Sequence, residues 1–164
     1  MSYYSFLHHG GVEGETGSCH ELVVGDSDSV LVDCGLFQGA DVGDGATPGI
    51  IGQKIDFDVS RVRALVVTHC HIDHIGRIPH LMAAGFNGPI ICSKPTALLL
   101  PAMLEDALRI GFTSDERLIH RFIGVLRERT VGIGYGTWHP VTLPGTGYSL
   151  SVCLQPAGHI LGSA

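Results

Sequence analysis

The sequence predicts a layered α/β or α+β fold, and three observations carry that expectation. The first third breaks into short apolar runs separated by glycine-rich turns, the pattern of strands and hairpins. Ala64-Leu65-Val66-Val67 is a continuous apolar run of strand length without alternation, as expected for a strand covered on both faces. Two stretches with helical apolar spacing follow it, over 95–109 and 114–129. Strands first, then strands alternating with helices, belong to a layered fold of this class.

In order along the chain, Tyr3–Leu7, Cys19–Val24 and Ser29–Val32 read as strands, with Gly25–Asp28 a hairpin turn between the last two. Leu31-Val32-Asp33-Cys34-Gly35 ends an apolar strand on an acid and a glycine, and Gly39–Gly52 reads as a long polar loop. The strand Ala64–Val67 runs into a histidine-rich turn and a short helix through Leu81–Ala84, with Pro79 tolerated in its first turn. Gly85 and Gly88-Pro89 stop that helix, and Ile90–Cys92 resumes as strand. Pro95–Arg109 has apolar residues at Leu98, Leu99, Met103, Leu104 and Leu108, so Pro101 must sit near its first turns or kink it. Ser114–Arg129 is a helix with Ser114 as expected N-cap, acids in its first turn and Arg127 and Arg129 in its last. Tyr148–Leu154 reads as a strand leading into Pro156–Ala164, and no repeat or linker interrupts the chain.

Composition narrows the class. The 164 residues are 45% hydrophobic and only 16% charged, against about 25% charged in an average globular protein, which excludes intrinsic disorder. The 23 glycines follow no fixed period, which excludes collagen. Without an apolar run approaching roughly 18 residues or a signal-like N-terminus, the expectation is a soluble, cytoplasmic protein with no membrane partner. Residues 1–60 hold ten acids and one base, whereas residues 61–164 hold six acids and nine bases. The protein therefore lacks an overall basic footprint for nucleic acid, and any phosphate binding must be local. Five cysteines, odd in number and without a C-x-x-C pair, read as reduced thiols.

The ten histidines are the informative excess, and four of them fall between residues 69 and 80. Thr68-His69-Cys70-His71-Ile72-Asp73-His74 follows directly on the buried strand, so a rigid element holds it. His69 and His71 are two apart and in an extended segment project to one side, which suits two ligands on one metal. Asp73 and His74, after the chain turns, can face a second metal. Nitrogen and carboxylate donors without thiolate fit zinc, with manganese or iron as alternatives.

Blander readings hold elsewhere. Cys70 alternates away from the two histidines and reads as a packed thiol. His8 and His9 read as solvent-facing or hydrogen-bonded, with a site role as the alternative. His20, His80, His120 and His139 lack a partner at ligand spacing. Asp33 is open to two readings, a turn former or an acid that orients a metal-bound histidine. Arg77 reads as a structural ion-pair partner ahead of a phosphate contact.

His69-x-His71-x-Asp73-His74, after Asp33-Cys34-Gly35, resembles the metallo-β-lactamase fold superfamily. Gly14–His20, Leu31–Gly39, Thr68–Pro79 and Ala157-Gly158-His159-Ile160-Leu161-Gly162-Ser163-Ala164 resemble, in order and over nearly the whole chain, its β-CASP RNA-processing nucleases. Glu15 stands where that family often has valine. The resemblance implies the N-terminal portion of an αββα sandwich and a dinuclear zinc centre. His69, His71 and His159 would hold one ion, Asp73 and His74 the other as ligands and catalytic residues, and Asp33 would support the site. It implies hydrolysis of RNA by a hydroxide held between two metals about 3.5–4 Å apart. DNA cleavage, thioester or lactone hydrolysis, or a non-catalytic metal- or partner-binding remnant are the alternatives. In the family's order a bridging aspartate, the β-CASP insert and a late histidine come after residue 164. The resemblance therefore implies one partial domain over 1–164, inactive alone, with apolar sheet surface left uncovered that could drive homo-oligomerisation.

Overall fold

The computed structural model describes residues 4–12, 14–39 and 54–164. Twelve elements are present among them: β1 (Tyr4–Gly10), β2 (Cys19–Val24), β3 (Asp28–Val32), β4 (Val62–Val66), α1 (Ile72–Ile75), α2 (Ile78–Ala83), β5 (Ile90–Ser93), α3 (Lys94–Gly111), α4 (Glu116–Arg129), β6 (Thr130–Ile133), β7 (Trp138–Val141) and β8 (Leu150–Cys153). The first six strands form one sheet in the order β1-β2-β3-β4-β5-β6, and β7 and β8 form a separate two-stranded ribbon. β1, β2 and β3 pair antiparallel, while β3 to β6 run parallel. The layered α/β expectation therefore holds.

The uninterrupted apolar run is explained by this layering. Leu65 and Val67 join a core with Leu100, Leu104, Ile119 and Ile123 from α3 and α4. Ala64 and Val66 face the other way, into a core with Val141, Leu143 and Leu154 around the β7–β8 ribbon. Flanked on both faces, positions 64–67 leave no place for a polar side chain, whereas Arg63, earlier in the strand, is only partly buried and pairs with Asp28.

Several boundaries move, each for a local reason. β1 extends to Gly10, three residues beyond the expected end, because His8 and Gly10 still find partners in His20 and Cys19. β4 begins two residues early, at Val62. Asp115, and not Ser114, caps α4, its carboxylate accepting from the Arg117 and Leu118 amides. α3 continues through Pro101, which lies two turns inside it with its ring buried; proline removes the amide that would have bonded to Ala97 there. The expected last strand shrinks to Leu150–Cys153. β6 and β7 were not expected, since four-residue strands containing Gly132 or Pro140 carry little strand signal. The expected loop 39–52 lies outside the described residues except for Gly39.

Strand β1 is an edge with Tyr4 57%, Phe6 61% and Leu7 40% exposed, so apolar surface is uncovered there as expected. Among the described residues no helix is long and apolar enough to cross a membrane.

Candidate metal centre

The site lies where β3 and β4 end. Asp33 follows β3 and adopts a left-handed backbone with φ 61°, a conformation an aspartate tolerates better than most residues. That turn aims its buried carboxylate at the segment following β4. Oδ1 accepts from the Thr68 amide at 2.8 Å. Oδ2 accepts from the Thr68 hydroxyl at 2.8 Å, His74 Nδ1 at 2.7 Å and the Ser18 hydroxyl at 3.3 Å. Asp33 thus forms the turn, and its carboxylate also fixes the orientation of the His74 ring.

This network sets imidazole tautomers. The Thr68 hydroxyl spends its proton on Asp33, so at the 3.0 Å contact between Thr68 Oγ1 and His69 Nδ1 the histidine is the donor. Neutral His69 therefore carries its lone pair on Nε2, which lies 3.1 Å from His71 Nδ1. His159 Nε2 approaches the same His71 nitrogen at 3.2 Å. Burial is the main cause that drops His69 to a pKa of about 4, with repulsion from His74 next, so the ring is neutral at pH 7. Hydrogen-bonded to Asp33 through Nδ1, His74 turns Nε2 towards Asp73 Oδ2, 3.5 Å away. Burial is the largest single influence on His74 and pushes its pKa down, but the hydrogen bond to Asp33 together with the negative charges of Asp33 and Asp73 outweighs it and the pKa is raised.

His69, His71 and His159 bring one nitrogen each within 4.8 Å of one another, the one such group of three among the described residues. A proton on His71 Nδ1 can be donated to one neighbour only, and its single in-plane lone pair can accept from one only. A cation would receive all three lone pairs at once, so this donor set fits a metal. The His69 and His74 rings are 4.0 Å apart between centroids, so the Asp73–His74 pair lies beside the three-histidine group.

His159 sits on a segment without regular structure, held there by Gly162, Ser163 and Ala164 of the same segment and by Ser93 and Thr96, which the sequence had not singled out. The Ser163 hydroxyl accepts from the amides of His159 (3.0 Å) and Ile160 (3.2 Å). The Gly162 carbonyl accepts from the hydroxyls of Ser93 (2.6 Å) and Thr96 (2.9 Å) at the junction of β5 and α3. The Ala164 amide donates to the Thr68 carbonyl at 3.0 Å, tying this segment to the first. Gly162 has φ 89°, and a Cβ on it would stand 2.5 Å from Thr96 Oγ1 and 2.8 Å from its amide. Gly162→Ala is therefore expected to cost about 1–3 kcal/mol and to swing His159 out of the group. Urea unfolding and the His159 ring chemical shifts measure the two effects.

Gly35 has a comparable role, since a Cβ there would overlap the Asp73 carbonyl oxygen at 1.5 Å. This close approach lets Ser18 and Cys34 donate their amides to the carbonyls of Asp73 and His74, at 2.9 and 2.8 Å. Arg77 departs from expectation. It is 2% exposed, and its guanidinium donates to the carbonyls of Gly35 (2.6 Å) and His9 (3.3 Å) and lies over the Phe37 ring, without a carboxylate partner among the described residues. Cys70 is buried with its thiol directed at the Thr96 carbonyl. His9 bonds Glu21 at 2.7 Å and stacks on Phe57. His8 Nδ1 meets His20 Nδ1 at 2.8 Å across β1 and β2, a pairing the sequence reading did not anticipate.

Three histidines are shifted, His20 being lowered chiefly by burial, and the two in the site predict how the metal-stripped protein responds to pH. His69 is protonated near 6.5 when unfolded but only near 4 when folded, so its contribution falls as pH drops through that window. His74 has the opposite sign: its contribution is fully present below 6.5 and is lost as pH rises through its raised folded value. Stability in chelator should therefore peak near pH 6.5. Urea midpoints from pH 4.5 to 8.5 test this, and His69→Gln should reduce the acid-side fall alone, leaving the smaller part due to His20.

A mixed sheet backed by helices on one face, with a histidine–aspartate group where its strands end, has the layout of a metallohydrolase domain. The family model described as the metallo-beta-lactamase superfamily matches residues 17–161, and the chain belongs to that superfamily. Within that superfamily the chain is similar to proteins named as ribonucleases and as a transcription termination factor. It is 36% identical over 152 residues to ribonuclease TTHA0252 of Thermus thermophilus, covering 91% of this chain and 31% of that protein. It is 32% identical over 162 residues to transcription termination factor FttA of Methanocaldococcus jannaschii, covering 98% and 24%. Endoribonuclease ysh-1 of Neurospora crassa is 30% identical over 165 residues, covering 97% and 18%. The chain thus spans less than a third of the length of these relatives.

Proposed function

We propose that these 164 residues are the front part of one catalytic domain of a metal-dependent RNA phosphodiesterase with a dinuclear zinc centre. Convergence of three imidazole nitrogens beside the Asp73–His74 pair carries this reading, in a chain whose relatives are named as ribonucleases. His69, His71 and His159 would hold one ion, and Asp73 and His74 would contribute to the other. Bound there, the ions would supply a Lewis acid and a water of lowered pKa, able to offset charge on a phosphodiester in displacement. Asp33 keeps His69 and His74 in the tautomers that present Nε2, directly for His74 and through Thr68 for His69. His71 and His159 are exposed, so a strand of RNA can approach them from solvent, while the burial of His69 keeps its donor unprotonated at neutral pH.

Asp73 and His74 are only two donors, so this chain by itself is expected to show little or no cleavage. The four buried cysteines, all free, suit a reducing cytoplasmic setting, and the exposed edge strand β1 offers a surface for self-association. The test is turnover of labelled RNA, single-stranded DNA and a small ester by the gene's full-length product loaded with zinc, manganese or iron. RNA cleavage abolished by Asp73→Asn supports the reading. Two bound metals with uncut RNA, or turnover of the ester alone, would overturn it.

A further inference from the structure

Most of the chain's eight arginines are committed. Arg61 pairs with Glu21, Arg63 with Asp28, and Arg109 with Glu105 and Glu116. Arg77 is buried on backbone carbonyls, and Arg129 donates to the Phe86 carbonyl at 2.8 Å. Arg117, Arg121 and Arg127 remain, all exposed, all on α4, and without a side-chain partner among the described residues.

Helical geometry places these three on the solvent side. Ile119, Ile123 and Leu126 are the buried residues of α4 and face its neighbours in the core. At about 100° per residue, Arg117, Arg121, Gly124 and Glu128 form the opposite stripe, with His120 and Arg127 to one side of it. The stripe covers about 15 Å along the axis at 1.5 Å per residue. Glu116 is neutralised by Arg109, so Glu128 is the one acid left on this face. Gly124 is, after proline, the poorest helix former, yet a Cβ there would meet nothing within 4 Å. Packing does not explain it; what it provides is low relief between the arginines, where a polymer backbone can lie against the helix.

We propose that this face of α4 is a contact surface for the phosphate backbone of single-stranded RNA, outside the metal centre. The proposal rests on the RNA reading above. A polyanion fits three uncommitted guanidiniums, each able to grip a phosphate with paired N–H donors. It also locates the local basic surface required of a chain whose net charge is −6. Because the contacts are to phosphate, they hold the strand without selecting its sequence.

The experiment measures binding of a fluorescein-labelled single-stranded RNA by anisotropy, in EDTA so that no metal chemistry intervenes. For the wild-type chain, log K should fall linearly with log salt. R117Q/R121Q/R127Q should weaken binding by about tenfold or more and reduce the slope by roughly 2, at about 0.7 per lost phosphate contact. R117K/R121K/R127K should restore most of the slope, and far-ultraviolet circular dichroism should show all three proteins equally folded. Unchanged affinity and slope in the glutamine variant overturn the proposal, as does absence of RNA binding by the wild type. Binding of polyglutamate but not RNA through these arginines also overturns it, assigning the face to an acidic protein. The nuclease reading fails separately, if metal-loaded full-length protein binds RNA through α4 but leaves it uncut.

Discussion

His71→Ala is expected to lower zinc affinity by more than about 100-fold, since loss of a mere supporting partner already costs 10–100-fold at metal sites. His71 contributes the nitrogen that lies within hydrogen-bonding distance of both other imidazoles, 3.1 Å from His69 and 3.2 Å from His159. Truncation leaves two nitrogens where the geometry gathers three. The side chain is exposed, so the metal-free protein should unfold within about 0.5 kcal/mol of wild type. Competition with a chromophoric chelator gives the affinity, and urea unfolding in EDTA gives the stability. His8→Ala is the matched control, because His8 and His20 form a separate pair on β1 and β2. Undiminished zinc binding by His71→Ala would remove His71 from the ligand set, and an equal loss in His8→Ala would place zinc elsewhere.

The core of the site was legible because its residues are consecutive. Thr68–His74 follows an apolar run whose lack of alternation already implied a strand buried on both faces, and a buried strand holds whatever comes directly after it. His159 was not legible from spacing. It is 88 residues beyond His71 and reaches it through hydroxyl and carbonyl contacts among Ser93, Thr96, Gly162 and Ser163 that leave no periodic trace. Only the resemblance of Ala157–Ala164 to a family segment singled it out. Arg77 was misread for a related reason: a charge beside a motif suggests an ionic partner, yet the folded chain offers it the carbonyls of Gly35 and His9 and the face of Phe37. β6 and β7 were missed because each has only four residues and one residue that opposes strand formation. Pairing to β5 and β8 decides their conformation, and pairing partners are not encoded locally.

Asp33→Asn should be the most disruptive near-isosteric change in the site, costing about 2–4 kcal/mol. Shape is not the cause: asparagine tolerates the left-handed backbone of this position and nearly matches aspartate in volume. The difference lies in donors and acceptors. Both carboxylate oxygens accept, one from the Thr68 amide and the other from the Thr68 hydroxyl and His74 Nδ1. An amide has one accepting oxygen: in one orientation its NH2 group confronts the Thr68 amide, which can only donate, and in the other it reverses the roles of the Thr68 hydroxyl and His74 Nδ1, forcing His74 into the tautomer that protonates Nε2. With the negative charge also removed, burial is opposed only by Asp73, and the His74 pKa should drop from its raised value. The fall in stability above pH 6.5 should then disappear, while the acid-side fall due to His69 persists. Thr68→Val separates the two arms, removing the hydroxyl that fixes His69 while leaving Asp33 bonded to His74. That variant should weaken zinc binding yet leave the His74 titration close to wild type. Histidine NMR titrations and urea midpoints across pH read both variants. If Asp33→Asn unfolds at the wild-type midpoint with His74 titrating unchanged, the carboxylate is not what orders these imidazoles.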